Sequence, residues 1–231
     1  VNRDIEAQRI IAEYDRRDRI LPADYYGLHH LPNLFNHHEH ERKLVRALHR
    51  VQRFPLAERR IVEVGCGEGD WLRFFERIGA RQDNLSGIDL GEGRIEIAKR
   101  RLPAADVRAG DATKLPWPDA SFDIALQRMM FTSILDADAR KAAAAEMMRV
   151  VRPDGLILWI DFFVNPNPQV RALGRRDVRA LFPGWRPTFY RTTLAPPLAR
   201  RIVPISWTLG RVIESLRVFN SFYLAVLEKD R

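Results

Sequence analysis

Ile61-Val62-Glu63-Val64-Gly65-Cys66-Gly67-Glu68-Gly69-Asp70 is the stretch on which the reading of the whole chain turns. Its β-branched opening predicts a short buried strand over 60–64. Gly65, Gly67 and Gly69 then predict a tight turn whose backbone a ligand can approach where any Cβ would intrude. The helix expected next, 70–78, carries Trp71, Leu72, Phe75 and Ile78 on one face and stops at Gly79. Its unpaired N–H groups aim at the same spot.

Glycine turns of this kind serve NAD, FAD, nucleotide and S-adenosylmethionine (SAM) proteins alike, so the spacing has to discriminate. A dinucleotide fingerprint places its third glycine three residues after the second. Here Gly67 is followed by Gly69 and position 70 is Asp, which tilts the reading away from NAD. A second expected strand, Leu85 to Asp89, ends in a carboxylate placed to accept hydrogen bonds from both hydroxyls of a ribose. NAD proteins would use that acid equally.

The deciding signal lies downstream. Gly110-Asp111-Ala112 precedes Leu115-Pro116-Trp117-Pro118-Asp119-Ala120-Ser121-Phe122-Asp123-Ile124-Ala125-Leu126, and Arg149-Val150-Val151-Arg152-Pro153-Asp154-Gly155-Leu156-Ile157-Leu158 follows. In this order, and over roughly residues 58–165, the set resembles the class I SAM-dependent methyltransferases, in the branch that includes the quinone-biosynthesis enzymes. The resemblance implies a three-layer, Rossmann-like α/β sandwich with a mostly parallel seven-stranded sheet. It implies SAM as cofactor and says little about the acceptor.

The bulk numbers agree with one such domain. At 231 residues the chain is long enough for a full core. The reading divides it into an N-terminal helical cap or lid, 1–57, and a methyltransferase domain, 58–231, with an insertion over about 195–217. One cysteine, Cys66, excludes a disulfide framework and suits a reducing cytoplasm. Within the turn it reads as a small packing residue. No run approaches the ~20 apolar residues of a membrane span, and no apolar signal core follows Val1, so a cytoplasmic protein is expected. The formal charge of +8 raises nucleic acid as a partner. Its arginines are interleaved with acids, as in Arg94-Ile95-Glu96-Ile97-Ala98-Lys99-Arg100-Arg101, so most belong to solvated faces.

Along the chain, a helix is expected over 3–16, with Ile10, Ile11 and Tyr14 as its apolar stripe. The Pro-punctuated, ring-rich segment Leu21 to Phe35 reads as an irregular lid. A helix starting at Asn36, with Glu39 completing a capping-box pair, is expected to bury Leu44, Val45, Leu48 and Val51. Strands at 85–89, 106–108, 122–127 and 156–161 alternate with helices at 93–101 and 136–150. This alternation forces right-handed crossovers, a parallel sheet and a crevice at the strands' C-terminal ends. Glu63, Asp89, Asp111, Gln127 and Asp161 all fall at or near such ends. Beyond them a helix over 171–182 and two strands, 189–194 and 222–227, are expected, the strands forming an antiparallel pair by resemblance. Packing on its own domain is favoured for the insertion between them. Walling the acceptor pocket, pairing two copies and lying on a membrane surface stand as alternatives.

By resemblance, the backbone at Gly65, Cys66 and Gly67 passes under the methionine portion of SAM, with Glu63 near its ammonium. Asp89 takes the ribose hydroxyls and Leu90 packs on the adenine. Asp111 accepts from the adenine amino group while Ala112 donates its backbone N–H, and Gln127 faces the methionine end. On the acceptor side, Asp161 at the rim of the fifth strand is the leading acid. His37 and His38, with His29, His30 and His40 nearby, offer proton acceptors for a hydroxyl or phenol. Tyr25, Tyr26, Asn33 and Phe35 are candidates to line the lid. No metal site is expected, since on a helix His37 and His38 diverge and only His37 with His40 share a face.

The function expected is methyl transfer to a small-molecule or lipid- or carrier-linked acceptor, oxygen slightly favoured, by a monomer or homodimer. An RNA methyltransferase is the first alternative. Gln127-Arg128-Met129-Met130 stands where many amino-directed nucleic-acid enzymes carry Asn-Pro-Pro-aromatic, which weakens it. A SAM- or metabolite-binding partner protein without turnover is the second.

Overall fold

A computed structural model describes residues 3–22, 24–165, 167 and 169–230. Val1, Asn2 and Ala23 of the expected cap therefore lie outside the described residues. Two helices, α1 (Arg3–Ile20) and α2 (Leu31–Arg50), precede the alternating core. The core runs β1 (Ile61–Val64), α3 (Asp70–Arg77), β2 (Leu85–Asp89), α4 (Glu92–Arg101), β3 (Asp106–Ala109), β4 (Phe122–Arg128), α5 (Ala137–Val150) and β5 (Val151–Phe162). It closes with α6 (Arg175–Leu181), β6 (Trp185–Leu194), α7 (Pro196–Ile202), α8 (Trp207–Ser215) and β7 (Asn220–Lys229).

The seven strands form one sheet in the order β3-β2-β1-β4-β5-β7-β6. The first five are mutually parallel, and β7 runs antiparallel between β5 and β6. Strand order reverses between β1 and β4, so a crevice opens beyond their C-terminal ends. In register, Val64 stands beside Ile88 on one side and Gln127 on the other. The interior strands are buried on both faces, which is why β1, β4 and β5 read as nearly continuous apolar runs.

Side-chain parity divides the core in two. Val62, Val64, Ala125, Ile157 and Trp159 face α5 and α6, where Ala139, Ala143 and Ala144 present short side chains to the sheet. Ile61, Leu85, Ile124, Leu126, Leu158 and Ile160 pack with Leu44 and Leu48 of α2, Leu72 and Phe75 of α3, and Ile95 and Ala98 of α4. A third, small cluster joins Phe35 to Leu194, Ala199 and Val203.

Several elements depart from the sequence reading. Helix α1 continues to Ile20, four residues beyond the expected end. Helix α2 begins at Leu31, not at Asn36, because Pro32 falls in its first turn, where a fixed φ and a missing N–H cost nothing. Asn36 is therefore internal, and Glu39 is buried and paired with Arg42, Lys43 and Arg211 instead of closing a capping box. Helix α6 starts only at Arg175, where the Asp177 carboxylate accepts the N–H of Gly174. The insertion holds two helices, and α7 packs on the domain through Ala199.

Gly87 of β2 shows how tightly the sheet holds the glycine turn. A Cβ there would lie 2.8 Å from the Cys66 sulfur and 2.9 Å from Leu72 Cδ1. Gly87→Ala must displace Cys66 inside the turn or Leu72 inside the core, so a loss of about 1–3 kcal/mol is expected. Denaturant unfolding of the variant checks this, and a midpoint equal to the parent's would mean that the turn yields without cost.

Candidate active site

Beyond the C-terminal ends of β1 and β4, where the strand order reverses, lies an open cleft lined by the glycine turn, the ends of β2 and β4 and the facing side of α1. Its floor is the glycine turn. Gly65, Gly67 and Gly69 have φ of 78°, 52° and 80°, a region in which other residues are strained. The turn is tied to β2: the N–H groups of Gly65 and Cys66 donate to the Ile88 carbonyl at 2.8 and 3.0 Å. Asp89 completes the tie, one carboxylate oxygen accepting the Gly67 N–H and the other the Gly91 N–H, each at 2.9 Å.

Ile88 and Leu90 form an apolar wall, continued by Ala112. Asp111 lies on the same wall, its Oδ1 accepting the Thr113 N–H at 2.7 Å. Across from it stand Glu6, Ile10 and Tyr14 of α1, spaced four residues apart and so on one helix face. Glu6 accepts the backbone N–H of Leu135 at 2.6 Å, and Arg9 donates to the Ser133 carbonyl. These bonds fasten α1 to the 3₁₀ turn Phe131–Ser133 at the cleft's edge. Burial alone would raise the Glu6 carboxyl, but Arg9 and the backbone N–H groups outweigh it and hold it below its usual range. The Arg94 guanidinium lies 4.2 Å from the centre of the Tyr14 ring.

Of the residues expected to hold a cofactor, Gly65, Asp89, Leu90, Asp111 and Ala112 line this cleft. Gly67 stands beneath it as the donor to Asp89. Cys66 is buried in the turn, its thiol pushed up by burial and by the carboxylates of Glu63 and Asp89, which makes it a packing residue. Glu63 is also buried, on the α2–α3 face of the sheet, and does not line the cleft. Burial raises its pKa well above normal, against the pull of Arg128. Gln127 is fully buried and does not line the cleft: its Oε1 accepts the Met130 N–H at 3.2 Å at the bend after β4, and its amide nitrogen is buried without a protein partner.

The acceptor-side expectations need correction. Asp161 is not a rim residue but a wholly buried one. It accepts the Thr132 hydroxyl at 2.7 Å and the backbone N–H groups of Thr132 and Phe162 at 3.2 and 3.0 Å. It positions the 3₁₀ turn and touches no cleft surface. His37 and His38 do not line the cleft either. His37 Nε2 lies 3.1 Å from Glu41, with its ring against Trp71, and His38 faces Trp207. The early start of α2 carries both along the outer flank of the sheet. Tyr25 and Tyr26 pack edge to face on each other, and Asn33 donates to the carbonyls of Tyr25 and Gly27. Phe35 is a core residue of the third cluster. The segment after α1 is thus a structural turn beside α7, and the covering element is α1 itself.

Among the described residues, Asp24, His29 and His30 form a group whose ligand atoms lie within 4.8 Å of one another, exposed and outside the cleft.

Arg128 is the residue that sequence reasoning overlooked. It ends β4, lines the cleft, stacks on Trp71 at 5.5 Å and feels Glu63, Asp161 and Asp70. Its position directly after Gln127 was the available signal, since alternate strand residues face opposite sides. The α1 face could be read in advance from the Glu6, Ile10, Tyr14 spacing.

The glycine turn, the acid ending β2 and the order reversal are shared with dinucleotide-binding folds, but a seventh strand inserted antiparallel between β5 and β6 gives the class I SAM-dependent methyltransferase fold. Residues 61–155 match the methyltransferase domain family, so the centre of this chain is a domain of that class. Malonyl-[acyl-carrier protein] O-methyltransferase of Serratia marcescens is 33% identical over 128 residues, 53% of this chain and 48% of that protein. Phthiotriol/phenolphthiotriol dimycocerosates methyltransferase 1 of Mycobacterium ulcerans is 32% identical over 139 residues, 54% of this chain and 49% of that protein. The chain spans about half the length of these curated relatives. In fold it is similar to Burkholderia thailandensis 1,6-didemethyltoxoflavin-N1-methyltransferase, solved with 1,6-didemethyltoxoflavin and S-adenosylhomocysteine. The TM-score is 0.60 at 18% identity, covering 83% of this chain and 78% of that one.

The buried Asp161 carboxyl supplies a pH test. Burial pushes its pKa up to about 7, against the pull of its hydrogen bonds and Arg128. The folded state therefore holds the proton more tightly than the unfolded state, and this group's stabilising contribution is lost as pH rises from about 4 to 7. Relative to Asp161→Asn, the parent should gain stability as pH falls through the same window, by roughly 1.4 kcal/mol for each pH unit crossed. Denaturant unfolding of both proteins at several pH values reads the difference, and a constant gap would refute a titrating Asp161.

Proposed function

We propose that the chain binds SAM in the cleft and transfers its methyl group to a small-molecule or lipid- or carrier-linked acceptor. The observation that carries this reading is Asp89, fixed by two backbone N–H groups at the switch point beside an apolar wall and the Asp111 carboxylate. Bound SAM would supply an electrophilic methyl on a sulfonium, leaving the chain to orient the partners and exclude water. Asp89 would hold the ribose hydroxyls, Leu90 and Ile88 the adenine face, and Asp111 with the Ala112 N–H its polar edge.

The zwitterionic methionine end needs both signs of charge. Arg128 offers a guanidinium to the carboxylate, while the ammonium would favour the ionised form of Glu63, behind the turn, against the burial that raises its pKa. Both carry buried atoms without protein partners, the Arg128 Nε and one Glu63 oxygen, as a polar ligand's site requires. On the acceptor side, Ile10, Met129, Met130 and Ile134 provide a dry surface, with α1 drawn over it.

The relatives' names support the acceptor class, one being named for a carrier-linked malonyl group and another for dimycocerosate lipids. With His37 and His38 outside the cleft, an oxygen acceptor now rests on the O-methyltransferase relative alone. A single buried cysteine supports a reducing, cytoplasmic setting. Among the described residues, no helix is long and apolar enough to cross a membrane.

Calorimetric titration tests the cofactor. SAM should bind and NADH should not, and Asp89→Ala should weaken SAM roughly 100-fold or more, since it removes charge-assisted hydrogen bonds and loosens the turn. Binding of NADH in place of SAM would overturn the reading.

A further inference from the structure

Helix α8 is built inside out. Leu209, Val212 and Leu216, three and four residues apart along one face, are 46, 55 and 59% exposed, while Gly210 and Glu214 are its buried residues. Just before and after the helix, Ile205 and Val218 are 82 and 71% exposed. The orientation is enforced from within. A Cβ on Gly210 would meet Val203 and Phe35 at 3.2 and 3.3 Å, so the glycine lets α8 approach α7 and α2 a few tenths of an ångström closer than a larger residue would. Arg211 bonds to both Glu39 of α2 and Glu214, fixing the polar side inward. A surface helix ordinarily turns its apolar stripe to the core. This one presents it to solvent.

The exposed charges of the segment that carries α7 and α8 are of one sign, with the Arg200 guanidinium over the Tyr25 ring at 5.0 Å. Arg200, Arg201 and Arg217 are exposed, and among the described residues none has a carboxylate partner. Glu214 is the segment's only acid between 195 and 219, and it is buried against Arg211.

We propose that the α8 face seats the protein on an anionic lipid surface, with the leucine and valine side chains entering the headgroup boundary and the arginines meeting phosphates. Apolar residues framed by arginines match a layer of negative charge over hydrocarbon. A two-fold contact between copies would instead bring the same arginines face to face with no acid in the segment to offset them. The proposal goes beyond methyl transfer and does not depend on it.

Trp207 makes the test direct. It is 38% exposed, whereas the other four tryptophans are at most 7% exposed, so a change in emission on docking reports this helix. The full chain should sediment with vesicles of phosphatidylcholine containing phosphatidylglycerol, with a blue shift of emission, and only weakly with phosphatidylcholine alone. Arg200→Ala and Arg201→Ala should each reduce partitioning about fivefold, and Leu209→Ser with Val212→Ser by roughly tenfold or more. Circular dichroism and denaturant unfolding of each variant confirm folding. Absence of vesicle binding, or binding that the double serine variant retains, would overturn the proposal. So would self-association without vesicles that the same variant abolishes, since the face would then belong to a second copy.

Discussion

Everything in the cleft hangs on a carboxylate placed between two backbone turns. Asp89 receives the N–H of Gly67 from the loop after β1 and that of Gly91 from the start of α4. Backbone donors buried without partners are costly, so this one side chain reconciles two chain reversals that the parallel sheet requires at the same edge. It also fixes its own orientation. An acid already aligned by two donors needs little rearrangement to receive a ligand's hydroxyls, which is what preorganisation means at a binding site.

The opposite wall depends on a second buried acid. Asp161 holds Thr132 through hydroxyl and backbone, and the Arg171 N–H donates to the Thr132 carbonyl. The next residue, Ser133, receives Arg9 of α1, and Glu6 reaches the N–H of Leu135. The covering helix is thus fastened not to the sheet but to a short turn that the sheet positions through Asp161. A contact chain of this kind can place α1 over the cleft with few apolar anchors, Ile10 being, among the described residues, the one buried residue that α1 gives to the main core. Elements attached by hydrogen bonds more than by burial open at lower cost than the core does.

How far the sequence foretold this depends on what each signal measures. Strand and helix periods, the glycine turn and the acid after β2 are local patterns, and they placed the parallel sheet and Asp89 correctly. Which face a strand-end residue takes is not local. Glu63, Gln127 and Asp161 all stand at the crevice end of their strands, yet parity and depth bury each of them. The histidines failed for another reason. Five of them crowd residues 29–40, but a helix beginning at Leu31 instead of Asn36 carries His37 and His38 along the flank of the sheet. The covering helix was visible only as an apolar stripe, and nothing in a stripe says what it will cover.

The buried charges around the end of β4 show why such a site needs a strong scaffold. Arg128 lies in range of both Glu63 and Asp161, and His40, within its field, is buried with neither ring nitrogen bonded. Burial drives the two acids and His40 toward neutrality and lowers the Arg128 pKa as well. Removing such groups from water costs several kcal/mol each unless pairing is complete, and here it is not. The expense is borne by the same strands, where Ile61, Leu126, Leu158 and Ile160 are fully buried on the sheet face that Glu63 shares. A fold selected for stability alone would have replaced the polar cluster with more of the same hydrocarbon. That it stands beside the cleft, where a ligand's charges can complete it, is the departure from local optimality expected of a functional site.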